Sequence, residues 1–96
     1  MIASFGSKAT EDIYNGSDTK EARRIPQSCW KSAGRKLDLI EAARELIDLK
    51  APPGNHLHPL KGNLKGRYSI SINDQYRIVF IFQDGNAFEV EITDYH

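Results

Sequence analysis

Tyr76-Arg77-Ile78-Val79-Phe80-Ile81-Phe82, then Gln83-Asp84-Gly85-Asn86, then Ala87-Phe88-Glu89-Val90-Glu91-Ile92 is the stretch whose reading decides the fold. Residues 76–82 are apolar at both parities, as expected of a central strand covered on both faces. Asp84-Gly85-Asn86 is a hairpin signal, and Phe88, Val90 and Ile92 are expected to complete the apolar face of the returning strand. Arg77 stands out, because it shares a face with Val79 and Ile81.

Moving outward, Arg67-Tyr68-Ser69-Ile70-Ser71-Ile72-Asn73 alternates cleanly. Tyr68, Ile70 and Ile72 should meet the core, Arg67, Ser69 and Ser71 the open face, and Asn73-Asp74 should turn the chain. Upstream, residues 26–49 read as helical from Pro26, with a stripe of Ala33, Leu37, Ile40, Ala43 and Ile47 widened by Leu39 and Leu46. Asp38, Glu41, Glu45 and Asp48 face the other way. Gly34 weakens this segment by about 1 kcal/mol relative to alanine, and Pro52-Pro53-Gly54 stops it. It is either one helix or two joined near Gly34 or Ala43. Residues 2–5 alternate weakly as a first strand, and a short helix over residues 10–14 ends at Asn15-Gly16. The fold class that follows is α+β, a small antiparallel sheet with N-terminal helices packed on one face, in a single domain of residues 1–96.

With 40% hydrophobic residues the chain is globular, and its 13 basic and 13 acidic residues cancel. That balance excludes a strong non-specific nucleic-acid binder, so any affinity for anions must be local. The one cysteine, Cys29, excludes an intrachain disulfide and fits a reducing cytosol. No apolar run is long enough to span a bilayer and no signal-peptide segment follows Met1, so a cytoplasmic protein without a membrane partner is expected.

The local concentration of positive charge lies in residues 49–73, which contain no acid but carry Lys50, His56, His58, Lys61, Lys65 and Arg67. Within it, His56-Leu57-His58-Pro59-Leu60-Lys61-Gly62 sets two imidazoles and an ammonium in a loop stiffened by proline and opened by glycine, which suits a phosphate. The last strand runs into Asp94-Tyr95-His96, where a carboxylate, a phenol and an imidazole gather three proton-handling groups at a position that ordinarily frays. His56, His58 and His96 invite a zinc reading, yet Cys29 is distant in sequence and no fourth ligand is obvious, so no metal and no cofactor is expected.

His58-Pro59-Leu60-Lys61-Gly62, Tyr68-Ser69-Ile70, Asn73-Asp74-Gln75-Tyr76-Arg77-Ile78 and the terminal Asp94-Tyr95-His96 together resemble the HigB branch of the RelE-like toxins of bacterial toxin–antitoxin systems. The similarity extends to residues 2–5 and to Arg35-Lys36-Leu37. It implies a sheet that cradles messenger RNA in the decoding site of the 30S ribosomal subunit, and metal-independent cleavage. In that reaction a ribose 2′-hydroxyl attacks the adjacent phosphate and leaves a cyclic phosphate and a 5′-hydroxyl. It also implies an antitoxin with a helix-turn-helix domain, through which alone operator DNA would be reached. Residue by residue, His58, Lys61, Arg77, Tyr95 and His96 fall on catalytic positions with Asp94 in support, and Lys65, Arg67 and Tyr76 on RNA-contacting ones.

The residue chemistry is consistent with such a reaction, which needs a base, an acid and cations. Imidazole serves either proton role near neutrality, while Lys61 and Arg77 can stabilise developing charge, Arg77 gripping two phosphate oxygens. Asp94 can orient His58 or His96, and Tyr95 can stack on a base or donate a proton. Simpler readings exist for each. His58 can cap its loop, Arg77 can pair with Glu89 or Glu91 across the hairpin, and Lys61 and Lys65 can be solvated loop lysines. The alternative function is a non-catalytic RNA-binding or regulatory subunit of a repressor complex, which would need cations and aromatics but no proton-transfer groups.

Overall fold

The computed structural model describes residues 1–94. Strands β1 (His58–Pro59), β2 (Tyr68–Ser71), β3 (Tyr76–Gln83) and β4 (Asn86–Asp94) form an antiparallel sheet in the order β1-β2-β3-β4. The turns have local causes. Asn73 Oδ1 accepts from the backbone N–H of both Gln75 and Tyr76 at 2.8 Å, closing the β2–β3 turn. Between Gln83 and Asn86, which pair, Asp84 (φ 53°) and Gly85 (φ 79°) both adopt left-handed geometry, and this matches the twist of a tight hairpin.

Helix α1 (Lys8–Tyr14) starts at Ser7, whose Oγ accepts from the Thr10 N–H, and ends at Asn15 as its composition suggests. Helix α2 (Trp30–Ala42) follows a 3₁₀ turn at Gln27–Cys29 and buries Ala33, Leu37 and Ile40. Of the joints that the sequence left open, near Gly34 or near Ala43, the helix runs through the first and ends at the second. At Ala43 the backbone becomes extended (ψ 130°), and a 3₁₀ turn, Leu46–Lys50, resumes after Asp48 Oδ2 accepts from the N–H of Arg44 and Glu45. The interruption resets the phase of the stripe. Leu49 is buried instead, and Ile47, expected on the apolar stripe, is 62% exposed.

Both helices pack on one sheet face, where Ile70, Tyr76, Ile78, Phe80, Val90 and Ile92 meet Ile13, Leu37 and Ile40. Residues 2–5 do not form a strand of the antiparallel sheet. They lie parallel to β4, with bridges Ile2↔Ala87 and Phe5↔Val90, and so cover an edge that would otherwise expose its backbone donors. Thr10 continues this cover, its Oγ1 accepting from the buried Ile92 N–H at 2.9 Å.

One irregularity matters for the site. The β3–β4 register slips between Val79 and Ile81, a bulge on β4 with Glu89 at φ 52°. The extra residue inverts the alternation behind it. Ala87 therefore points into the core, and Phe88, expected on the apolar face with Val90 and Ile92, pairs with Ile81 on the opposite one.

Candidate active site

The sheet face opposite the helices gathers several of the candidate residues. Register places His58 beside Ser69, Ser69 beside Val79, Ser71 beside Arg77, and Arg77 beside Thr93. Since cross-strand partners share a face, His58 on β1 and Arg77 on β3 project on the same side, with strands about 4.8 Å apart. Arg67, Ser69 and Ser71 thus share the face that their alternation requires, although Ser69 is buried on it. Arg77 sits with Val79 and Ile81, as their spacing requires.

The loop bearing the imidazoles is anchored from beneath. Asn55 is fully buried; its Nδ2 donates to the carbonyls of Leu49 and Ala51, and its Oδ1 accepts from Lys36 Nζ on α2. Burial, and then the neighbouring Arg35 charge, hold the Lys36 ammonium below its usual pKa. At the loop's far end the Leu60 N–H donates to the Arg67 carbonyl at 2.9 Å. Between these ties His58 Nδ1 lies 3.1 Å from the His56 carbonyl and 3.5 Å from Ser69 Oγ. A carbonyl can only accept, so this contact requires a proton on Nδ1. In the neutral form of that tautomer Nε2 would hold the lone pair, which is what a base needs.

A cleft of about 290 Å³ opens on this face, lined by Arg67, Arg77, Thr93, Glu89, Glu91 and Asp94 among others. Arg67 Nη2 donates to Glu89 Oε2 at 2.9 Å. Asp94 Oδ2 accepts from Gln75 Nε2 at 3.2 Å. Gly6 forms part of the wall because no side chain fits there. A Cβ would come within 2.9 Å of the Glu89 carbonyl and of Glu91 Oε1.

The sequence-selected residues divide as follows. His58, Arg67 and Arg77 belong to this face; Asp94, which pairs with Tyr76 and so has the parity of the helix side, lines the cleft at the end of β4, whereas Lys61 and Lys65 are exposed on the flanking loop around the 3₁₀ turn Gly62–Leu64. The ion pair considered for Arg77 with Glu89 is made by Arg67. Tyr76 is a correction. It is 8% exposed and packs in the core beneath the sheet, so it offers no ring plane to a base. The expectations placed on Tyr95 and His96 lie outside the described residues. Glu89, Glu91, Thr93 and Gly6 were missed; the odd parity that Glu91 and Thr93 share with Arg77 was a usable signal, but the bulge at Glu89 was not.

Similarity to known proteins runs along nearly the whole chain. A family model described as the RelE-like toxin of type II toxin–antitoxin system HigB matches residues 3–96. Toxin HigB-1 of Vibrio cholerae is 44% identical over 87 residues, spanning 91% of this chain and 90% of that protein. Endoribonuclease HigB of Proteus vulgaris is 31% identical over 96 residues, 100% of both. Among solved structures, a chain of the YoeB–YefM complex from Staphylococcus aureus superposes with a TM-score of 0.61 at 20% identity, covering 100% of this chain and 98% of that one. YafQ from E. coli gives 0.57 at 14%, covering 99% and 94%. At such identities these two speak for the fold alone.

Proposed function

The chain belongs to the RelE-like HigB toxins of type II toxin–antitoxin systems, and from that premise we propose that it is a metal-independent endoribonuclease cutting messenger RNA held in the ribosomal decoding site. The observation that carries this reading is the face shared by His58, its Nδ1 engaged by the His56 carbonyl, and Arg77, two strands away. The 31% identity to a protein named an endoribonuclease supports the same class.

In the proposed reaction a base removes the proton of a ribose 2′-hydroxyl, and the oxygen attacks the adjacent phosphorus. The bond to the 5′-oxygen breaks, and an acid protonates that oxygen, giving a 2′,3′-cyclic phosphate and a 5′-hydroxyl. His58 and His96 are the two imidazoles for these roles. Arg77, assisted by Lys61, stabilises the phosphorane charge, while Tyr95 supplies stacking or a proton and Asp94 orients an imidazole. Arg67 and Lys65 hold the RNA backbone. An antitoxin with a helix-turn-helix domain neutralises the toxin and carries the pair to operator DNA; two of the superposing folds come from toxin–antitoxin complexes.

The test compares one messenger RNA, free and under translation in a purified extract, using toxin stripped of bound metal with chelator and then desalted. Expected are discrete cuts only in the translated RNA, ending in cyclic phosphate. Cleavage that needs a divalent ion added back to the toxin, or binding with no cleavage at all, would overturn the reading; the latter outcome favours the regulatory-subunit alternative.

A further inference from the structure

Glu89 is an unusual residue to find in a cleft meant for a polyanion. Its backbone sits at φ 52°, a left-handed conformation that residues bearing a Cβ rarely adopt, and it sits there because β4 carries one extra residue opposite β3. The conformation is held. The Glu89 N–H donates to Ser4 Oγ at 2.8 Å from the N-terminal segment, and the carboxylate reaches Arg67 Nη2 at 2.9 Å. Strain maintained by contacts from two other parts of the chain is a reason to look for a task.

The chemistry of the pair suggests the task. A guanidinium receives carboxylate and phosphate oxygens in the same fork, so a carboxylate on Arg67 occupies the place that an RNA phosphate would take. Resting on the ribonuclease reading for its ligand, we propose that Glu89 is a built-in phosphate competitor, which RNA must displace from Arg67 to enter the cleft. The pair is partly solvent-exposed, with side chains 28% and 54% accessible, so the competition is mild. Mild competition discriminates between substrates. RNA presented in fixed register by a larger assembly makes many contacts at once and displaces Glu89 readily, whereas a loosely held strand gains less from each contact and is turned away.

The probe is a short single-stranded RNA, 2′-O-methylated throughout, which can bind but cannot be cut. Its affinity is measured by fluorescence anisotropy across a salt series. Glu89→Gln should tighten binding about two- to five-fold and steepen the log–log salt dependence by about 0.7, one more phosphate contact's worth. Glu89→Asn, which tolerates positive φ and is too short to reach Arg67, should do the same and guards against a folding effect. Neither change should alter binding once Arg67→Ala is present. Unchanged or weaker binding in both variants would overturn the proposal by making the pair a structural clip. Equal tightening in the Arg67→Ala background, or from the distant Asp84→Asn, would overturn it by reducing the effect to bulk charge. Cleavage of unmodified, translated RNA by the unaltered protein is scored separately. Its absence, with the Arg67-dependent tightening intact, sinks the nuclease reading and keeps the competitor.

Discussion

Arg77 was legible in the sequence because a cation on an otherwise apolar central strand has few reasons to be there, and the register adds what it faces, namely Thr93 and the cleft. Replacing it by alanine removes a preorganised positive charge while leaving the core face of β3 untouched. Arg77→Ala should therefore lower single-turnover cleavage about 10²- to 10³-fold with little change in thermal midpoint. Lys61→Ala, on an exposed loop, should cost less; equal activity of Arg77→Ala and the unaltered protein would remove Arg77 from the mechanism. Asp12 illustrates a residue with a purely structural charge. Its buried carboxyl is held below the usual carboxylate range, first by the Thr19 hydroxyl at 2.6 Å and then by the Lys8 ammonium at 3.1 Å. A depressed folded pKa contributes stability that is complete above the unfolded value, about 3.9, and is lost as pH falls through the lower folded one. Asp12→Asn should reduce stability at neutral pH and flatten the acid limb of the stability profile; a limb of unchanged slope would refute the assignment.

At the scale of elements, what could be read were the contrasts between faces. Strands Tyr68–Ser71 and Tyr76–Gln83 took the expected sides because the apolar Ile70 and Ile78 go to the core face and the polar Ser69 and Ser71 to the other, even though Ser69 is itself covered there. What could not be read were the places where the period changes. A joint near Ala43 was one of the readings left open, but nothing local in Ala42-Ala43-Arg44 fixes the phase beyond it, so Ile47 was carried forward onto a face it never reaches. The bulge at Glu89 did the same to Phe88, because the extra residue is held by Ser4, more than eighty positions away. The N-terminal segment was seen as strand-like, but its parallel partner was invisible. Its close approach to β4 makes Gly6 indispensable. Gly6→Ala would press a methyl group against the Glu89 carbonyl, which cannot step aside, and should destabilise the protein by about 1–3 kcal/mol in denaturant unfolding. A loss below a few tenths would mean that the segment moves freely.

For the molecule as a whole, a formal net charge of zero bears on how, in the proposed reaction, it would meet RNA. The cleft sets Arg67 and Arg77 against Glu89, Glu91 and Asp94, so long-range attraction for free RNA is weak and counterion release small. Catalytic groups on a rigid sheet then act efficiently only on RNA whose attacking and leaving oxygens are brought into line by something else, and positioning of that kind is worth several orders of magnitude in rate. The fold, the cationic loop and Arg77 were all visible in sequence, but the mixed sign of the cleft emerged only from the register. The central claim is that this chain cuts messenger RNA during translation. Primer extension on total RNA from cells shortly after induction tests it most directly. Discrete cuts confined to translated codons, absent with Arg77→Ala and with a frame closed upstream by a stop codon, are the expected result. Growth inhibition with intact messenger RNA, or cuts equally frequent in untranslated regions, would contradict it.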